Sequence, residues 1–195
     1  MTPKQIERLQ KKISDVKRTI AAKKRKYGCY DDSRGIRYIP TRYFIQLGDY
    51  SGGLKYIKWF SKCFPDDSGF PDFLFEWTII LFKNGMLKEA EKKAFKTFCS
   101  NTYIIGKYFS RPITPVVKWE GSNLEAPSYV ENLIYTSADS ELKDFTEWLE
   151  KFISSENFIN VSNKCVEINI RLKIEDDREM RHYLVVQASQ LVDSI

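Results

Sequence analysis

The chain has 195 residues, 43% hydrophobic and 14% aromatic, enough apolar material for a packed core and too much for a disordered polymer. Its longest apolar run, residues 73–82, is broken by Glu76 and is far too short to cross a bilayer, so no membrane partner is expected. The net charge of +5 is uneven: residues 1–26 hold ten lysines and arginines against two acids, a local +8 that leaves −3 on the rest. Basic character therefore belongs to one segment.

That segment is the first predicted helix. Over residues 3–26, Ile6, Leu9, Ile13, Val16 and Ile20 fall at spacings of 3, 4, 3 and 4, one apolar stripe on a helix whose other faces are cationic. The favoured reading is a capping helix packed on the next element. The alternatives are a coiled-coil seam that makes a homodimer, and a membrane-surface helix, although its apolar face lacks Trp and Phe. Lys23, Lys24, Arg25 and Lys26 close the helix, where cations suit the macrodipole. They are also the candidate basic patch for nucleic-acid phosphates, with a solvated helix end as the simpler reading. The segment is charged from Lys4 onward, without the apolar core of a signal peptide. Cys29, Cys63, Cys99 and Cys165 form no C-x-x-C pair, so reduced thiols in a cytoplasmic protein are expected.

Further helices are predicted at about 40–47, with Pro40 in the first turn, then 51–63, 70–83, 87–99 and a truncated 101–109 with Asn101 as N-cap. Pro112 and Pro115 break the pattern, and residues 118–123 form a loop whose Trp119 is read as tucked into the body. Residues 128–135 and 139–153 are read as helices, the second with Leu142, Phe145, Trp148, Leu149 and Phe152 on one face. Residues 166–174 alternate like a strand, yet the chain offers no second alternating run as a partner. Phe158, Val161, Cys165, Ile168 and Leu172 fall at spacings of 3, 4, 3 and 4, so 156–174 is read as a helix. A last helix carries Tyr183, Leu184, Ala188 and Leu191.

Two of these helix pairs share a motif. Gly48 and Gly85 each follow an apolar run, where a left-handed residue ends a helix cheaply. Tyr50 or Leu87 comes two residues later, and Gly53 or Ala90 five residues later. Cysteines 29, 63 and 99 are 34 and 36 residues apart, and the two glycines are 37 apart. This G-x-[YL]-x-x-[GA] pattern over roughly residues 29–110 resembles the tetratricopeptide (TPR) repeat, a helix pair of about 34 residues. The sequence departs from the family pattern in placing Gly53 where alanine is usual, and in Pro40, which shortens a first helix.

The resemblance implies an all-α fold, a short TPR-like αα-hairpin solenoid with N- and C-terminal capping helices. One domain over 1–195 is expected, comprising a basic capping helix to 27, repeats over 28–110 and a helical cap over 111–195. It also implies a peptide groove at Tyr38, Arg42, Phe75, Ile79 and Phe82. The family's carboxylate clamps use Lys, Asn and Arg, so this mainly apolar set implies either an amphipathic partner helix or a groove filled by the chain's own flanking helices. The expected partner is a protein or peptide, with nucleic acid on the basic helix as the alternative.

Nothing resembles a catalytic set. His182 is the only histidine, and Glu179-x-x-His182 is half of a di-iron motif that needs a second pair. The acid pairs Asp31-Asp32 and Asp66-Asp67 are read as helix caps in preference to a cation site. No enzyme activity, cofactor or metal is expected.

Overall fold

Thr2 opens the first helix of the computed structural model, which describes residues 1–30 and 32–195. Its Oγ1 accepts from the Gln5 backbone N–H at 3.3 Å, and Gln5 Oε1 accepts from the Thr2 N–H at 2.7 Å, a reciprocal capping box. This helix, α1, spans Pro3–Tyr27 and ends on Gly28 at φ +76°. Ile13 and Ile20 are buried while Ile6, Leu9 and Val16 are half-buried, so the predicted stripe is where the helix packs. It lies against α2, Ile39–Leu47.

The chain divides into two compact units, Met1–Met86 and Leu87–Ile195. In the first, α2 is followed by α3 (Tyr50–Cys63) and α4 (Pro71–Lys83), and these three helices pack on one another. The turn from α2 to α3 follows from its residues. Gly48 sits at φ +66°, a left-handed position that lets the chain reverse, and Asp49 then caps α3 by accepting from the Gly52 N–H at 2.8 Å. Gly53 is the close-approach point: a Cβ there would lie 3.0 Å from Ile80 Cδ1 and 3.3 Å from Phe44 Cβ. The core of the unit is Ile13, Phe44, Tyr56, Phe60, Phe73 and Leu74. α4 carries the expected near-continuous burial, and Gly85 follows it at φ +72°.

The second unit holds α5 (Leu87–Ser100), α6 (Ile104–Tyr108), α7 (Lys143–Ile153), α8 (Glu156–Ile174) and α9 (Arg178–Gln190). α8 packs against α5, α7 and α9, and a final 3₁₀ turn, Leu191–Ser194, returns to α5. The alternating stretch 166–174 is helical. Ser155 caps α8, and Phe158, Val161, Cys165, Ile168 and Leu172 are all buried, whereas Ile170 and Ile174 of the would-be strand face are exposed. No strand occurs among the described residues, and the fold is all-α.

Three local expectations need correction. Asn101 is not the N-cap of α6, which starts after Tyr103; its Oδ1 accepts from the Tyr103 N–H at 3.0 Å while its amide donates to the carbonyls of Leu124 and Ala126. Residues 128–135 do not form an α-helix. Pro127–Asn132 is a 3₁₀ segment, whose period of three aligns the buried Val130 and Leu133. In the 118–123 loop it is Lys118, only 4% exposed, that turns inward beside Tyr103, and Trp119 lies outside.

Candidate functional site

The five groove positions expected from the repeat register all lie in the first unit, on or beside α2 and α4. Phe75 and Ile79 are 1% and 0% exposed, so neither offers its side chain to a ligand. Phe82 is half-buried at the end of α4. Arg42 is turned onto α4, its Nε donating to Glu76 Oε1 at 3.1 Å and an Nη to Asp72 Oδ2 at 3.3 Å. Glu76 is itself 1% exposed and also accepts from Thr41 Oγ1 at 2.5 Å. Burial pushes its carboxyl up to about 7, against the pull of Thr41 and Arg42. Tyr38 packs on Phe70 and Phe73 with ring centroids 4.4 and 5.0 Å away. Arg42 is thus a structural member of the α2–α4 contact, and Tyr38 packs on the start of α4.

One acid of each pair does more than cap a helix start. Asp31 lies outside the described residues and Asp66 is exposed. Asp32 and Asp67 converge on Arg37, whose Nε donates to Asp67 Oδ2 at 2.6 Å and whose Nη1 donates to the Asp32 carbonyl at 2.7 Å and to its Oδ2 at 3.3 Å. The Arg37 backbone N–H also donates to Asp32 Oδ2, at 2.8 Å. The Tyr38 hydroxyl donates to Asp67 at 2.7 Å and receives an Arg37 N–H, while the buried Tyr56 hydroxyl donates to the Arg37 carbonyl at 2.6 Å. Burial raises the Tyr38 phenol, as does its bond to Asp67, and burial likewise raises Tyr56. Phe70, the N-cap residue of α4, makes no side-chain cap, and Asp67 braces the preceding turn by accepting from the Gly69 N–H at 2.8 Å. This cluster is a brace in which one guanidinium serves both carboxylates.

An open cleft lies at the C-terminal end of α1. Lys17, Ala21, Lys24 and Arg25 recur at spacings that put them on one helical face, and with Gly28, Tyr30 and Trp59 they line a cleft of about 650 Å³. Its aromatic wall is held from behind: Trp59 packs on Tyr56 at 5.3 Å and on Phe64 at 6.3 Å, and Tyr30 meets Trp59 edge-on at 6.5 Å. The Lys24 ammonium stands 4.0 Å from the Tyr30 ring centre, and hydrogen bonding with that residue holds its pKa above the usual lysine range. Lys17 reaches over the Tyr56 ring at 5.5 Å and Lys26 over its neighbour Tyr27 at 5.0 Å. Of the basic run, Lys24 and Arg25 border the cleft directly. The Lys17/Ala21/Lys24/Arg25 spacing is legible in the sequence, but nothing there signals that Tyr30 and Trp59 join it.

Among the described residues, no group of three or more His, Cys, Asp or Glu side chains could hold a metal ion, and no helix is long and apolar enough to cross a membrane. Set beside known protein families, curated proteins and solved structures, the chain finds no match in any of the three.

Proposed function

We propose that this protein is a non-enzymatic, TPR-like helical scaffold of the cytoplasm, and that it binds an acidic segment of a partner protein in the cleft beside α1. The observation that carries the reading is the cleft itself: a mainly apolar floor, two ring walls and a rim of Lys17, Lys24 and Arg25, on the one segment with a strong positive excess. Such a surface attracts a negative chain and seats an apolar side chain from it. The repeat assignment is supported by Gly48 and Gly85, both left-handed after a helix, and by Gly53 and Ala90, both buried.

A protein segment suits the cleft better than a nucleic acid. Stacking of bases needs free ring faces, and Lys24 already covers Tyr30 while Trp59 is packed against Tyr56 and Phe64. The homodimer reading has less to draw on, because the α1 stripe is spent against its own unit at Ile13 and Ile20.

The test is tryptophan fluorescence during titration with a short peptide of glutamates around one phenylalanine, against the same peptide with glutamines and against a single-stranded oligonucleotide. The glutamate peptide should shift the emission of wild type, and the shift should vanish in Trp59→Phe. Binding of the oligonucleotide with no response to the peptide would overturn the reading.

A further inference from the structure

Cys99 is the next-to-last residue of α5, and Cys165 lies midway along α8, the helix packed on it within the second unit. Their Sγ atoms are 3.4 Å apart although the residues are separated by 66 positions. A disulfide has S–S near 2.05 Å, so the gap of 3.4 Å closes with about 1.4 Å of approach shared between two side chains. Cys165 is 2% exposed and Cys99 is half-buried, so Cys99 is the more accessible of the two.

The two thiols are not equivalent. Hydrogen bonding between the two thiols holds Cys165 below the usual thiol range, with further help from the nearby Lys118 charge, against the effect of burial. The same shared proton, together with burial, pushes Cys99 up. The pair shares one proton, and its 3.4 Å separation lets either sulfur attack the other once that one is oxidised. The Asn169 amide, 3.8 Å from Cys165 Sγ, adds a weak donor on the α8 side.

We propose that Cys99 and Cys165 form an oxidation site, a thiol pair that a peroxide converts into a disulfide tying α5 to α8. One thiol of the pair, as its thiolate, attacks one peroxide oxygen, the O–O bond breaks, and the departing hydroxide takes up the proton that thiol had lost and leaves as water. The second sulfur then attacks the sulfenic sulfur. The S–O bond breaks, and the departing hydroxide takes the second thiol's proton as a second water. Two thiols are oxidised by two electrons in total and one peroxide is reduced. The crosslink closes the loop that contains α6, α7 and the weakly helical segment between them, so it restricts the unfolded chain far more than the folded one.

The experiment treats the full-length reduced protein with hydrogen peroxide under native conditions, alkylates remaining thiols, and digests without reduction. The expected result is one crosslinked peptide pair joining Cys99 to Cys165, lost on dithiothreitol treatment, with Cys29 and Cys63 recovered alkylated. Thermal melting of the oxidised protein should rise by roughly 5–10 °C, a gain absent from Cys99→Ser and retained by Cys29→Ser. Recovery of both Cys99 and Cys165 alkylated after oxidant has consumed the exposed Cys29, a crosslink between any other cysteines, or a melting gain that survives Cys99→Ser would each overturn the proposal.

Discussion

Glu76 offers the sharpest test of the first unit. Its carboxyl is 1% exposed on α4, and burial raises its pKa from the ordinary 4.5 to about 7. Because the folded chain holds this proton more tightly than the unfolded chain, the contribution to stability is fully present below about pH 4.5 and is lost as pH rises through about 7. One pKa unit corresponds to about 1.4 kcal/mol, so the difference across that window is about 3 kcal/mol. Glu76→Gln removes the titration and keeps a carbonyl oxygen for Thr41 Oγ1. The assay is urea unfolding at a series of pH values from about 5 to about 8. Fluorescence of Trp59 and Trp77 would be followed in a Trp119→Phe/Trp148→Phe background, which confines the signal to the first unit. Wild type should lose stability relative to Glu76→Gln as pH rises. Parallel curves for the two proteins, or a wild type that gains on the variant toward neutral pH, would refute the assignment of a raised carboxyl.

Other perturbations follow from named contacts. Arg37→Ala leaves the Asp32 and Asp67 carboxylates, 1% and 10% exposed, without their cation, and should cost about 3 kcal/mol or more in denaturant unfolding. Gly53→Leu must displace Ile80 and Phe44, whose atoms would lie 3.0–3.3 Å from the new Cβ, and should cost at least about 2 kcal/mol. Gly53→Ala should stay within about 1 kcal/mol of wild type, as helix propensity offsets the crowding. Gly48 has open space around its missing Cβ but sits at φ +66°, so Gly48→Ala should cost about 1 kcal/mol and Gly48→Asn less.

Periodic features were legible in the sequence. The stripe of α1, the apolar character of α4 and the burial of Phe158, Val161, Cys165, Ile168 and Leu172 are properties of spacing along one helix. The α8 case shows why period beats composition: alternation over 166–174 lacks a partner, while the 3,4 spacing starts at Phe158 and runs through it. Features that depend on contacts distant in sequence were hidden. Asp67 lies just ahead of α4, where a cap belongs, yet it braces Arg37 thirty residues back. Lys118 turns inward although it neighbours a tryptophan, because Glu120 and the Tyr103 ring receive its ammonium. The cleft has the same origin: the cationic half is written on one face of α1, and the aromatic half arrives from residues 30 and 59 only after folding.

The measurement that bears most directly on the proposed role is calorimetric titration of the glutamate–phenylalanine peptide into wild type and Lys24→Glu/Arg25→Glu across a salt series. If the cleft rim recruits an acidic segment, wild-type affinity falls steadily with added salt and the charge-reversed protein binds roughly tenfold more weakly or worse. Equal affinity in both proteins, unchanged by salt, would contradict the account.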